Sequence, residues 1–322
     1  MKFYGVAIVL TWVSWAQAPA PPSPDVLKPE PAKTEPAKPE AAKAEAQPVM
    51  IRNEGKPMLV PFQCTDDDMD WAGMSCSEED PCPVYLEISA IDAVGNRVIA
   101  LANVHSEATT LYSVLLESED GGATWREVYE RMRGTGFDHI QFIDFQHGWI
   151  SGQTLVPVPR DPFMLLTADG GKSWRMVPVF HEGGGGAIQQ FWFTSPTSGE
   201  LVVDRMESTD ASRYELYGTP NGGETWMIRR TSDDPIVIPK TGMTDSGWRV
   251  RADARTKSFA IEKEHGERWN AAASFLVTIG SCKPAPRAAP PPPEPAEIDQ
   301  PPATTPPPAR PPSLKRPPPK RP

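Results

Sequence analysis

Through the middle of this chain hydrophobic and polar residues trade places in short bursts, at Arg97 to Ala102, Leu111 to Glu117, Phe163 to Thr167, Gly199 to Asp204 and Tyr214 to Tyr217. A side-chain period near two is the mark of strands buried on one face, and no stretch there sustains the 3.6-residue period of an amphipathic helix. The pattern predicts an all-β region of many short strands. Between and around the bursts lie clusters of Gly, Asn, Asp and Ser, the residues that turn a chain tightly.

One of those turn clusters repeats. Asp120-Gly121-Gly122-Ala123-Thr124-Trp125 returns as Asp169-Gly170-Gly171-Lys172-Ser173-Trp174 and as Asn221-Gly222-Gly223-Glu224-Thr225-Trp226. The tryptophans are about 50 residues apart, a blade-sized period. An eroded fourth copy ends at Trp269, with Glu264 in the Asp place, Gly266 in the second Gly place and Arg268 in the hydroxyl place. A second landmark moves in step: Phe142-Ile143-Asp144 with Gly148-Trp149, then Phe193 with Gly199, then Gly247-Trp248. Each unit of about 45 residues has room for four short strands, so four units fit between Val84 and Cys282. The box itself reads as structural. A short Asp or Asn side chain accepts from backbone N–H groups just downstream, paired glycines admit positive φ, the hydroxyl completes the turn, and the tryptophan packs inward from the returning strand.

In these residues the chain resembles the Asp-box, or bacterial neuraminidase repeat, proteins. The added Phe142, Asp144, Gly148 and Trp149 landmark looks most like the photosystem II stability/assembly factor family and its relatives. The resemblance covers about Val84 to Cys282 and implies an all-β, propeller-like array of about four four-stranded blades. It also implies a role in protein binding or assembly. Sialidases carry the same boxes, which raises a glycan-binding or glycan-hydrolysing domain as the alternative. The candidates for that chemistry are Arg160, Arg205, Arg213, Arg249, Tyr214 and Tyr217, and convergence of three arginines on one pocket is its test. None of these residues sits in a recognisable catalytic motif, so no catalytic residue is assigned and the expectation is a binder that is not an enzyme. Binding residues are left to the loops between the boxes.

The ends of the chain alter the picture. The 322 residues include 39 prolines, concentrated at the two ends. Such compositions bury too little apolar surface to offset the entropy of ordering. Lys2 and the apolar run Phe3 to Trp15 have the make-up of a signal peptide, with Ser14-Trp15-Ala16 as the cleavage pattern, and the run is too short to span a bilayer. The expected organisation is a leader over 1–16, a disordered Pro/Ala/Lys/Glu linker over 17–49, a cysteine-containing acidic extension over 50–83, the repeat array over 84–282 and a disordered basic proline-rich tail over 283–322. Export to the periplasm or beyond follows, with no transmembrane segment after cleavage. The two proline-rich arms favour a tethered module whose partner is a protein or another envelope component.

Net charge is −10, and acidic side chains outnumber basic ones in the middle. Such a body repels nucleic acid, so no nucleic-acid partner is expected. Export makes Cys64, Cys76, Cys82 and Cys282 disulfide candidates. Three pairings are open; the favoured one joins Cys76 to Cys82 locally and Cys64 to Cys282 across the folded region. No metal or cofactor is expected. The carboxylates from Asp66 to Asp80 read as a solvated, disulfide-pinned loop, with calcium as the alternative. The histidines show no ligand spacing, and Gly183 to Gly186 reads as an inter-blade loop, since strand-like sequence follows it.

Overall fold

The computed structural model describes residues 49–155, 157–206, 212–241 and 246–285. The leader, almost all of the linker and nearly all of the tail lie outside the described residues. Strands dominate. They are β1 (Ile51–Arg52), β2 (Cys82–Val94), β3 (Arg97–His105), β4 (Thr110–Ser118), β5 (Thr124–Glu127) and β6 (Met132–Arg133), after which come β7 (Thr135–Phe142), β8 (Gly148–Thr154), β9 (Arg160–Thr167) and β10 (Arg175–Pro178). Then follow β11 (Ala187–Phe193), β12 (Gly199–Asp204), β13 (Tyr214–Thr219), β14 (Met227–Ser232), β15 (Trp248–Asp253), β16 (Ser258–His265), β17 (Arg268–Leu276) and β18 (Thr278–Cys282). One helix, α1 (Asp66–Ala72), precedes β2.

The strands form four antiparallel sheets in a propeller-like array. The second and third are four-stranded, β10-β9-β8-β7 and β11-β12-β13-β14. The first has seven strands, because β1 joins β5, β6 joins β4 and β18 joins β2. The fourth has three, β15-β16-β17. Its missing strand has a physical reason. The segment ahead of β15 instead lays Ile236 and Ile238 against Val202 and Tyr214, covering the outward face of the third sheet.

Inner strands such as β3 and β4 are buried on both faces by nearly continuous apolar runs, and the sheets pack in series through those faces. Ile99, Leu101 and Leu115 of the first sheet meet Phe137, Phe142 and Ile150 of the second. Trp149 and Met164 on the second sheet's other face meet Phe191, Phe193 and Val203 of the third. The first sheet's remaining face, with Val84, Ala100 and Trp125, packs on Trp248, Ile261 and Phe275 of the fourth.

Residues 50–83, the acidic extension ahead of the array, pack into its core. Ile51, Met58, Val60 and Met69 are buried in the core shared by the first and fourth sheets. Met58 bridges Phe275 in parallel, and Asn53 Nδ2 donates to the carbonyls of Gly122 (3.2 Å) and Ala272 (2.7 Å). The fourth sheet offers β17 as an open edge, and the incoming chain pairs with it. The acidic stretch is also more than a loop. Thr65 and Asp68 form a reciprocal capping box, and α1 ends at Gly73 in the left-handed region. Disulfides join Cys64 to Cys282 and Cys76 to Cys82.

Candidate functional site

The repeated boxes lie at one end of the sheets, each closing the hairpin between the third and fourth strands of its unit. Asp120 Oδ1 accepts from the backbone N–H of Ala123 (3.0 Å) and Thr124 (2.8 Å), while Oδ2 accepts from the Thr124 hydroxyl (2.7 Å). Asp169 takes the N–H and hydroxyl of Ser173, and Asn221 takes the N–H of Thr225 at 3.1 Å. Gly121, Gly122, Gly170, Gly171, Gly222 and Gly223 all have positive φ. Burial pushes the Asp120 and Asp169 carboxyls up, but the hydrogen bonds of the turn outweigh it and hold both at about 2. Trp125 is fully buried, with Nε1 donating to the Gly122 carbonyl, and Trp174 and Trp226 meet Phe142 and Phe193 edge to face. The eroded copy differs. Gly266 turns that hairpin at φ 63°, and Trp269 lies under the Arg249 guanidinium, 4.2 Å from the ring centre.

Several of the charges in the box-end grooves are already matched. In the largest, about 480 Å³, Arg97 is held by Glu117 and by the Gly170 carbonyl. The sialidase candidates do not converge either. Arg160 pairs with Asp161 (2.8 Å), Arg213 with Asp204 (3.0 Å) and Arg249 with Glu262 (2.7 Å). Arg205 lies over Phe180, with its Nε 3.7 Å from Glu215, and Tyr217 donates to that same carboxylate at 2.6 Å. Tyr214 carries Arg213 over its ring.

At the opposite end, between the first and second sheets, lies a cleft of about 650 Å³. Its walls come from β2 and β3, from the β3–β4 loop and from the segment joining β8 to β9. Glu87, Glu107 and Asp138 bring carboxylates, His105, Asn103 and the hydroxyl residues of the β3–β4 loop further polar surface, and Leu155, Pro157 and Pro159 an apolar wall. Asp138 is the unusual member. The pairing of β7 with β8 slips between Phe137 and His139, and the extra residue is Asp138. Burial raises its carboxyl to about 6 against a hydrogen bond from Gln153, and the charge of Glu87 adds to the rise. Asn103 sets the cleft floor by clasping the Phe137 backbone, accepting from its N–H at 2.9 Å and donating to its carbonyl at 3.1 Å. This arrangement can hold a hydrogen-bond donor and exchange a proton near pH 6. The residue-by-residue pattern had not singled out Asp138 or Glu87, because their proximity depends on two sheets packing together.

Among the described residues no three His, Cys, Asp or Glu side chains are grouped to hold a metal ion. Three of the carboxylates considered for calcium are engaged otherwise. Asp68 accepts from Tyr112 and Arg133, Asp67 pairs with Arg133, and Asp66 accepts from the Ala285 N–H. Gly183 to Gly186 crosses from the second sheet to the third, where Gly184 N–H donates to Asp161 and Gly186 sits at φ 134°.

No protein-family model matches the chain, and no curated protein does. Solved structures similar to it are propellers. A xyloglucanase of family GH74 from Xanthomonas campestris is 20% identical over 45% of this chain and 21% of its own, with TM-score 0.31. YCF48 from Cyanidioschyzon merolae is 21% identical over 59% of this chain and 56% of its own, with TM-score 0.29. An α-L-arabinanase from Penicillium chrysogenum, solved with arabinobiose, is 12% identical over 70% and 66%, with TM-score 0.31. The chain thus spans about a fifth and about half the length of the first two. The resemblance to Asp-box propellers stands at the level of the fold. The expectation that the chain is not an enzyme is corrected: two of these three neighbours are glycoside hydrolases, so the likeness does not point away from enzymes.

Proposed function

We propose that the chain is an exported binding module that holds a protein or another component of the cell envelope in the cleft between its first and second sheets. Asp138 carries this reading. Burying a carboxyl until its affinity for protons rises to about 6 costs folding free energy that the fold does not require, and such groups gather at working sites. The boxes are consumed in closing their hairpins, whereas the cleft is framed by loops, which are free to specialise. Two disulfides are compatible with an oxidising, exported setting, and among the described residues no helix is long and apolar enough to cross a membrane. In the full chain, Ala108→Trp narrows the cleft mouth and Lys172→Ala trims the box-end groove. Capture of envelope components should fall with the first and persist with the second; equal capture by both would sink the cleft as the site.

A glycan ligand is the second reading. A carboxyl raised to about 6 beside a second carboxyl, that of Glu87, is the kind of pair on which glycoside hydrolysis depends. Release of sugar from neutral polysaccharides by the full chain, lost in Asp138→Asn, would establish it.

A further inference from the structure

We infer that Asn221 is a modification site, at which the side-chain amide is hydrolysed without an enzyme to a carboxylate, giving the third box the aspartate that the first two carry.

The three boxes differ at one atom. In the first two, a carboxylate oxygen accepts from the hydroxyl of Thr124 (2.7 Å) or Ser173 (2.5 Å). In the third that place belongs to Asn221 Nδ2, a donor, so the Thr225 hydroxyl has to accept from it at 3.0 Å and reaches Oδ1 only at 3.4 Å. The other bonds of the box are kept, with Oδ1 accepting from the Thr219 hydroxyl at 2.9 Å and from the Thr225 N–H at 3.1 Å. An aspartate at this position would find its donors already in place.

The same turn supplies what the reaction needs. Asn221 is exposed and is the only asparagine in the sequence that is followed by glycine. The fold requires that glycine, because Gly222 sits at φ 73° and a Cβ there would lie 2.6 Å from the Pro196 carbonyl oxygen. With no side chain to crowd it, the Gly222 backbone nitrogen can lose its proton and attack Asn221 Cγ; the amide C–N bond breaks, ammonia leaves and a five-membered imide forms. Water then adds at the side-chain carbonyl, breaks the new C–N bond and leaves an aspartate in an intact backbone. One water is consumed and one ammonia released, with nothing oxidised or reduced. Addition at the backbone carbonyl gives an isoaspartyl link instead, whose extra main-chain methylene does not fit the box. In the closed hairpin the Gly222 N–H donates to the Thr197 carbonyl at 2.8 Å, so attack waits for the tip to open. The box leads into β14, an edge strand exposed along nearly all its length, and such elements open first. The product adds a negative charge to the groove of about 360 Å³ that Asn221 lines with Arg175 and Glu224.

The test ages the full, folded chain in mildly alkaline buffer and follows the tryptic peptide from Tyr214 to Arg229 by mass. That peptide should gain about 1 Da in the parent and nothing in Asn221→Gln, where the ring to be closed is larger and slower to form. A parent sample unfolded in urea should convert faster, since no Thr197 carbonyl then holds the Gly222 N–H. Asn221→Asp, which makes the product directly, should unfold at a urea midpoint about 0.5 M above that of fresh parent at neutral pH. An unmodified peptide from the aged folded chain would overturn the inference, whether or not the unfolded sample converts, because the hairpin would then guard the amide for good. So would an Asn221→Asp midpoint at or below the parent's, which would show that the third box has no use for a carboxylate.

Discussion

Two aspartates of the second sheet show how surroundings divide the work of one side-chain type. Asp169 accepts four hydrogen bonds at the tip of its hairpin, from the Ser173 N–H and hydroxyl, the Thr167 hydroxyl and the Lys172 backbone, and its carboxyl is held at about 2. A depressed carboxyl stabilises the fold above the unfolded value and loses that contribution as pH falls through the folded one. Asp169→Ala should therefore cost about 1–2 kcal/mol at pH 7 in urea unfolding and leave partner capture unchanged. An unaltered midpoint would mean that the box does not hold the hairpin. Asp138 runs the other way. Its carboxyl is raised from 3.8 to about 6, so its contribution is fully present below 3.8 and is lost as pH climbs through 6. The groups facing it are Glu87 from β2 and Gln153 from β8, with His105 and Glu107 on the same cleft. Asp138→Asn should accordingly melt higher than the parent at pH 7.5, by about 1–2 kcal/mol of stability, and no higher at pH 4. Melting curves at the two pH values check it.

At the scale of elements, what could be read in advance tracks how local its cause is. The hairpins were legible because Asp, two glycines, a hydroxyl and Trp satisfy one another within a few residues. The strands were legible because their two-residue period is written along a single segment. Helix α1 escaped, since seven residues are too few to show a period, although Thr65 and Asp68 held its capping signal in plain view. The capture of residues 50–83 by the core and the making of the cleft escaped for a different reason. Met58 meets Phe275 across most of the chain, and Glu87 acts on Asp138 only once β2 and β7 pack. The Ile236 and Ile238 cap belongs to this non-local class. Ile236 is 3% exposed, so Ile236→Asn should cost about 2–4 kcal/mol by burying an unmatched amide against Val202 and Tyr214. A urea midpoint within error of the parent would show that the third sheet needs no cover.

For the whole molecule, the Cys64–Cys282 bond ties points 218 residues apart. By chain entropy a cross-link of that span restricts the unfolded state by about 5 kcal/mol. Replacing both cysteines with serine should lower the urea midpoint accordingly, whereas replacing Cys76 and Cys82, only six residues apart, should cost less. A smaller loss from the long bond than from the short one would reverse this ranking.

The packing of Trp125 against Phe275, edge to face with ring centres 5.3 Å apart, has a consequence in time as well as in space. A chain made from its N-terminus has the first sheet in hand early, yet one face of that sheet stays open until the last strands appear. Non-local pairings of this span are slow to form and leave greasy surface bare meanwhile. The order of manufacture thus places the closing event last, when Phe275 arrives and Cys282 comes within reach of Cys64. Under the export proposed above, that schedule would make the seal on the far side of the membrane, where thiols can be oxidised.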